Sequence, residues 1–287
     1  MTQTISSLGL MTQSILQIQN VQSQLGNLSN QLATGKKSLD LADYALSESD
    51  HILNLRSLIT KKQSFVDSIS KVEPQLNIYD KSFDELDTIA NQARALVNQT
   101  QNLSQSSGVA VSSQLAGMMD QVQYFLNQKL GDRFIFGGTR FGVQPVADLN
   151  GLAAPTNTTI VATPTLPEYD SAAPGADATS YTQTSVKIDD SFTIPYGISS
   201  NDPAFQNLIL GLRWAYQATQ ETTDAAFAAD MDNARSLLDT GITSMRNLHG
   251  QVASNLAQFE ATKKIQTDFL SDALGQIDDI QNADPAK

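Results

Sequence analysis

The chain has 287 residues, 40% of them hydrophobic, and its 30 acidic and 18 basic side chains give a net charge of −12. This length is enough for one or two domains with a sizeable core, and the negative charge disfavours nucleic acid and anionic membranes as partners. The absence of cysteine excludes disulfides and thiolate metal sites, and we expect neither a membrane-spanning run nor a cleaved signal peptide.

The first predicted helix, residues 5–33, has an apolar stripe but no charged side chain. Its stripe residues are three or four positions apart, as in a helix that buries one face: Ile15, Ile18, Val21, Leu25, Leu28 and Leu32. Gln, Asn and Ser fill most other positions, and these cost less to bury than ions when hydrogen-bonded. We therefore predict an assembly helix that packs against neighbouring subunits and ends at Gly35. The alternative is an ordinary helix that packs back onto its own subunit.

A second, much longer helix is predicted over residues 42–101. Its apolar residues alternate at spacings of three and four, which is typical of a coiled-coil seam: Ile69, Val72, Leu76, Tyr79, Phe83, Leu86 and Val97. Pro74 lies within this stripe. An interior proline removes one backbone hydrogen bond and costs about 3 kcal/mol, so we expect a kink or a break there.

The middle of the chain changes from helical to β-type patterning. A loop is predicted over 102–109 and a shorter helix over about 110–129. Residues 133–139 (RFIFGGT) then read as a strand, a tight glycine turn and a second strand. Further strand segments are predicted at 158–163 and at 186–195, the latter around a turn at Asp189 and Asp190, with a loop over 165–180. We interpret residues 141–200 as a small β-rich insert that points outward.

Helical patterning returns at Asp202, a capping residue that precedes Pro203. A last long helix is predicted over about 228–283, and its stripe includes Val252, Leu256 and Phe259. Since the two long helices each carry a narrow stripe, we expect them to pair antiparallel. The predicted fold is therefore mainly α, a long antiparallel coiled-coil-like core with a small β-rich insert. The predicted domains are 1–38 (assembly helix), 39–140 with 201–284 (helical core and β-hairpin) and 141–200 (insert).

Four stretches of this chain resemble the bacterial flagellin superfamily, and within it the hook–filament junction proteins. They are 28–37 (LSNQLATGKK), 89–98 (IANQARALVN), 131–139 (GDRFIFGGT) and 277–284 (IDDIQNAD). Arg94 and Leu96 match the family's Arg-Glu-Leu helix motif, in which the Glu is Ala95 here, and Phe136, Gly137 and Gly138 match its Phe-Gly-Gly signature. Pro74 is unusual for the family. The C-terminal helix that the resemblance leads us to expect does not follow in this sequence.

The resemblance implies a structural subunit of the extracellular flagellum that joins hook to filament. It further implies type III export, an export chaperone, and assembly as a ring or filament beside hook-associated and flagellin subunits. The same reading leaves filament flagellin as an alternative, and a surface glycan-binding or adhesive protein as one of another class. No enzyme, metal site or cofactor is expected, because His51 and His249 stand alone and form no zinc motif.

Overall fold

The computed structural model describes residues 3–38, 40–100, 108–152, 154–155, 158 and 183–282. In this part of the chain the elements are mainly helical, with two short antiparallel hairpins, so the predicted fold class is confirmed. The helices are α1 (Gln3–Thr34), α2 (Leu46–Thr100), α3 (Gly108–Leu126), α4 (Pro203–Ala218) and α5 (Asp224–Gln281), and a 3-10 turn spans Leu41–Asp43. The strands are β1 (Lys129–Leu130), β2 (Arg133–Phe134), β3 (Ser185–Lys187) and β4 (Thr193–Pro195).

The chain divides into two compact units, and both long helices contribute to each of them. Unit 1 contains Met1–Ser64 and Lys264–Lys287, and unit 2 contains Phe65–Lys263. Unit 2 holds the greater part of the buried core together with both hairpins. The domain boundaries expected from sequence at 38, 140 and 200 stay predictions.

Within unit 2, α2 and α5 run antiparallel and are joined by a ladder of ion pairs. The paired residues on α2 are spaced seven positions apart, and the residue numbers of their partners on α5 decrease as those on α2 increase. The pairs are Glu73–Lys263 (2.6 Å), Asp80–His249 (2.8 Å), Asp87–Arg246 (2.8 Å) and Arg94–Asp239 (2.7 Å). A seven-residue repeat keeps one helix face turned toward the same partner. The antiparallel pairing predicted from the two stripes is therefore confirmed.

The core of unit 2 is built on the α2 stripe and closed by α3, α4 and α5. Four aromatic rings lie at its centre. Phe83 stacks on Phe205 at 5.5 Å between centroids, and Phe136 meets both Tyr79 (4.9 Å) and Phe205 (5.5 Å) edge to face. Such aromatic pairs contribute beyond the area that they bury. The segment after α3 is therefore packed into the same core as the long helices.

The structure corrects the expectation of a break at Pro74. α2 runs through this proline without interruption from Leu46 to Thr100. Val72 and Leu76, on either side of it, are both buried in the core. Burial of two such side chains supplies about 3–6 kcal/mol, which offsets the about 3 kcal/mol cost of an interior proline.

The first hairpin also differs from the prediction. β1 pairs with β2 around Gly131 and Asp132, with Leu130 opposite Arg133. The predicted glycine turn does form, since the Arg140 amide donates to the Gly137 carbonyl and the Phe134 amide to the Phe141 carbonyl, both at 2.9 Å. The predicted second strand is wrong, because no strand follows the turn at that place. Gly131 has a φ of 61°, a left-handed value that glycine adopts without strain. Gly137 also forms an isolated antiparallel bridge with Ser199, so its backbone takes part in both the local turn and a contact with a distant segment.

The second hairpin agrees with the prediction, since β3 and β4 pair antiparallel with Val186 opposite Ile194. The predicted start of α4 is confirmed as well: the Asp202 carboxylate accepts a hydrogen bond from the Ala204 amide at 2.9 Å, ahead of the first helical turn. The predicted strand at 158–163 and loop at 165–180 lie outside the described residues, apart from Thr158.

Candidate functional site

The candidate binding surface of unit 1 is the apolar face of α1. The six side chains predicted to form this face are between 54% and 91% exposed, the lowest value at Ile15 and the highest at Leu32. Fully burying one such side chain contributes about 1.5–3 kcal/mol relative to leaving it in water. In the isolated chain this contribution is not made, so α1 keeps an apolar face available for binding.

The rest of the α1 surface is uncharged. The helix has no acidic residue in its first turn and no basic residue in its last turn. A soluble surface helix normally carries Lys, Glu or Arg on its wet face. α1 therefore combines an exposed apolar stripe with uncharged flanking side chains, whose burial costs less free energy than the burial of ions.

The base of α1 is fastened to the end of α5 by backbone contacts within unit 1. The Gly35 amide (φ 70°) donates to the Gln31 carbonyl at 2.7 Å and ends the helix, as predicted. Lys36 forms an antiparallel bridge with Asn282, and the Lys37 amide donates to the Gln281 carbonyl at 2.7 Å. No local pattern predicts this attachment, because its partners are more than 240 residues apart in the sequence.

The short segment between α1 and α2 is closed by a tyrosine. The Tyr44 hydroxyl donates to the Ser38 carbonyl at 2.7 Å, and the Ser49 hydroxyl donates to the Leu41 carbonyl at 2.8 Å. Tyr44 also packs in the small core of unit 1 together with Ile52 and Ile277. The connection between the exposed helix and the rest of unit 1 is thus an ordered joint.

The residues predicted as the coiled-coil seam are placed in the core of unit 2. Nine of the ten are buried, and Leu256 is partly buried against them. Tyr79 does more than fill space. Its hydroxyl donates to the Ile135 carbonyl at 2.5 Å and accepts from the Ile198 amide at 3.1 Å and from the Gln75 side chain at 2.8 Å. Burial raises the pKa of Tyr79 to about 12.

The residues of the family motifs occupy structural positions. Arg94 pairs with Asp239 across the two long helices, and Leu96 packs partly buried against the core. Phe136 is fully buried. A Cβ on Gly137 would lie 2.8 Å from the Arg140 carbonyl oxygen, and Gly138 has a φ of 58°. These two glycines are therefore required by close approach and by backbone conformation.

The two histidines differ in their surroundings. His249 stacks on Phe83 at 5.4 Å, and its Nε2 lies 2.8 Å from an Asp80 carboxylate oxygen, whereas His51 is exposed. Among the described residues, no group of three or more His, Asp or Glu side chains is placed to hold a metal ion. None of the helices in that part of the chain is both long and apolar enough to cross a membrane.

A polar groove of about 650 Å³ runs beside the first hairpin in unit 2. It is lined by Tyr124, Gln128, Lys129 and Phe134, among others. Lys129 lies 4.3 Å from the centre of the Phe134 ring, and the Arg133 guanidinium lies 3.5 Å from the centre of the Phe141 ring. The sequence reasoning missed these cations, although their placement next to aromatic residues was a signal for them.

Comparison with known proteins identifies the fold. A candidate flagellar hook-associated protein from Vibrio parahaemolyticus superposes with a TM-score of 0.67 at 12% identity, covering 84% of this chain and 100% of that one. FlgL of Bacillus cereus superposes with a TM-score of 0.51 at 17% identity, covering 74% of this chain and 98% of that one. The chain has the fold of flagellar hook-associated proteins. No family model and no curated protein sequence matches it, and identities this low establish the hook-associated fold alone.

Proposed function

We propose that this chain is a structural subunit of the extracellular bacterial flagellum, which joins the hook to the filament. The observation that carries the proposal is the exposed, uncharged apolar face of α1 on a chain with the hook-associated fold. A face of this kind is stabilised only when neighbouring subunits cover it. The described residues contain no cluster suited to metal chemistry, and we propose no enzymatic activity.

The mechanism that we propose is folding coupled to binding. An isolated helix is marginal in water, because its own hydrogen bonds barely offset the entropy of ordering it. When neighbouring subunits cover the α1 stripe, each buried leucine contributes up to about 3 kcal/mol toward ordering the helix. The ordered joint at Lys37 and Tyr44 then links the assembled helix to unit 1.

The partners follow from this role. The chain would assemble with copies of itself as a ring or a filament, beside hook-associated and flagellin subunits. We propose export through the flagellar type III system with an export chaperone, and a final location at the hook–filament junction outside the cell. No nucleic acid, membrane or cofactor is needed for such assembly.

Limited proteolysis of the soluble subunit tests the availability of α1. We expect a protease to remove residues 1 to about 35 before it cuts the α2 and α5 helices, since a helix without tertiary contacts opens with little free-energy cost. Protection of α1 in the monomer to the same degree as α5 would contradict the proposal.

A pair of variants tests the stripe itself. Leu25→Asp should prevent assembly, because assembly would bury its charge, whereas Leu25→Met keeps an apolar side chain of similar volume and should assemble normally. Light scattering of the assembling subunits and motility of a complemented deletion strain are the readouts. If Leu25→Asp assembled as well as Leu25→Met, the α1 face would not be the assembly surface.

The place of the protein along the flagellum has its own test. Immunogold labelling with an antibody against this chain should mark a single band at the end of the hook. Labelling along the entire filament would identify a filament flagellin instead.

A further inference from the structure

Besides the α1 face, unit 2 carries two exposed patches of opposite charge. The first, which we call the basic hairpin, is residues 129–141: β1, β2 and the loop to Phe141. These residues hold three basic side chains and one acidic side chain, a local charge of +2 in a chain of net charge −12, while Asp120 and Asp148 lie before and after them in the sequence. Lys129 and Arg133 are exposed.

The cations of the basic hairpin are held in place by aromatic rings. Lys129 lies over Phe134, its cross-strand neighbour, and Arg133 lies over Phe141. A cation over a ring face is attracted by the ring quadrupole, so its side chain already has less conformational freedom in the unbound subunit. Preorganised charges bind with a smaller entropic cost than mobile ones.

The second patch, which we call the acidic corner, is residues 219–232, where α4 ends and α5 begins. It contains four acidic side chains and no basic one: Glu221, Asp224, Asp230 and Asp232. Residues 222–225 are exposed. Partial burial and the nearby charge of Glu221 raise the pKa of Asp230, which reflects the excess of negative charge at this corner.

The two patches lie at different levels along α2. The basic hairpin is anchored at Tyr79, whose hydroxyl bonds Ile135, and the acidic corner is anchored at Thr100, whose hydroxyl contacts the Met231 sulfur at 3.8 Å. These two α2 residues are about 32 Å apart at the helical rise of about 1.5 Å per residue. A single chain therefore cannot bring its own patches together without unfolding.

We propose that the basic hairpin of one subunit binds the acidic corner of a second copy of this chain. The shallow groove beside the hairpin (about 650 Å³) is lined by Lys129 and several amide side chains, together with Asp120, and the turn between α4 and α5 is exposed. Exposed Tyr124, Leu130 and Val143 add apolar area near the cations. This proposal rests on the structural role proposed above and assigns it a second contact.

The geometry makes this contact heterologous, because two different patches meet. A heterologous contact repeats from subunit to subunit and generates a ring or a filament, whereas two copies of one patch form only a closed pair. Like charges also disfavour hairpin against hairpin and corner against corner. The basic hairpin and the acidic corner thus set the direction in which subunits add.

Disulfide trapping tests the contact, since the chain has no cysteine of its own. A full-length Asp132→Cys chain and a full-length Thr222→Cys chain are mixed under mild oxidation. Both positions are exposed and lie beside the proposed ion pairs without removing them. We expect the mixed dimer in at least about fivefold excess over the product obtained when exposed Ser57→Cys replaces either partner.

Charge reversal provides the second measurement. Arg133→Glu in the hairpin chain, or Asp224→Arg in the corner chain, should each lower the yield of mixed dimer about fivefold, and the two together should restore it. Restoration by the swapped pair cannot come from a folding defect. Equal yields with the Ser57→Cys control, or no restoration by the swapped pair, would overturn the proposal.

A background variant keeps this test separate from that of α1. With Leu25→Asp in both chains, the α1 contact is removed, and we expect the trapped dimer to persist at low salt and to decline as salt screens the charges. Loss of the dimer in this background at low salt would overturn an independent hairpin contact. If the Leu25→Asp chain without any added cysteine assembled as extensively as the unaltered chain at physiological salt, the α1 proposal would be contradicted instead.

Discussion

Replacing Tyr79 by phenylalanine removes a single oxygen atom from the centre of unit 2. That oxygen is fully buried and satisfies three groups, two of which belong to backbone distant in sequence: the Ile135 carbonyl and the Ile198 amide. The third, the Gln75 side chain, is half-buried, and its amide nitrogen also lies 3.5 Å from the Ile135 carbonyl oxygen. The phenylalanine ring itself fits the same space. The perturbation is therefore confined to hydrogen bonding.

The magnitude follows from the groups that lose their partner. An unsatisfied buried donor or acceptor costs about 1–3 kcal/mol. The Ile198 amide loses its partner, whereas the Ile135 carbonyl keeps a long contact of 3.5 Å with the Gln75 side-chain nitrogen, so we expect the free energy of unfolding to fall by about 1–3 kcal/mol. Both groups lie in loops that the hydroxyl ties to α2, so we also expect faster hydrogen exchange around the first hairpin.

Urea unfolding followed by circular dichroism measures this loss. Tyr124→Phe is the matched control, because Tyr124 is 65% exposed and its hydroxyl can bond water, so we expect a change within about 0.5 kcal/mol. A loss below about 1 kcal/mol in Tyr79→Phe would refute the argument, since it would mean that the two backbone groups find other partners.

The same hydroxyl predicts a response to alkali. The pKa of Tyr79 is raised from 10.0 to about 12 by burial, so the unfolded chain loses this proton at a lower pH than the folded chain. The stabilisation is present below pH 10 and falls by about 2–3 kcal/mol as the pH rises through 12. Tyr79→Phe lacks this contribution, so its stability should fall less over that interval. Equal slopes in unfolding experiments from pH 10 to 12 would contradict this assignment.

Four further substitutions, of which Gly250→Ala is a control, test the packing and capping of unit 2 by urea unfolding. Gly241→Ala should lower the free energy of unfolding by about 1–3 kcal/mol, because its Cβ would lie 2.9 Å from the Leu208 backbone nitrogen. Gly250→Ala has open space around its Cβ and should raise the free energy of unfolding by up to about 1 kcal/mol. Equal effects of the two substitutions would contradict the close approach at Gly241. Phe259→Ala should cost about 3–5 kcal/mol, since the ring is fully buried, and a loss under 1 kcal/mol would place it outside the core. Asp202→Ala removes the cap of α4 and should cost about 1 kcal/mol; no change would show that the cap is dispensable.

The sequence predicted the helices of this protein well because their signals are local. Apolar spacing of three and four residues follows from the 3.6-residue turn of a helix, and it located α1, α2 and α5 to within a few residues. The cap at Asp202 and the glycine at position 35 are local signals too. The hairpin of β3 and β4 was recognised from its alternation around an acidic turn.

Local signals failed where distant residues compete for the same backbone. Gly137 and Gly138 form the tight turn that their composition predicts, but Gly137 pairs with Ser199 and no second strand follows the turn. Pro74 would end an isolated helix, and buried neighbours on both sides keep α2 continuous. In each case, contacts outside the local segment outweigh its own preference.

By itself, then, the sequence determined which residues form the apolar faces and how the long helices pair, because both follow from spacing along the chain. Only the tertiary structure decided which faces are covered. It buried the stripe of α2 from Ile69 to Val97 and left that of α1 exposed, and it fixed Lys129 and Arg133 over aromatic rings. The physical reason is that the spacing of apolar residues shows which face of a helix can be buried. Whether that face is buried depends on another part of the chain packing against it.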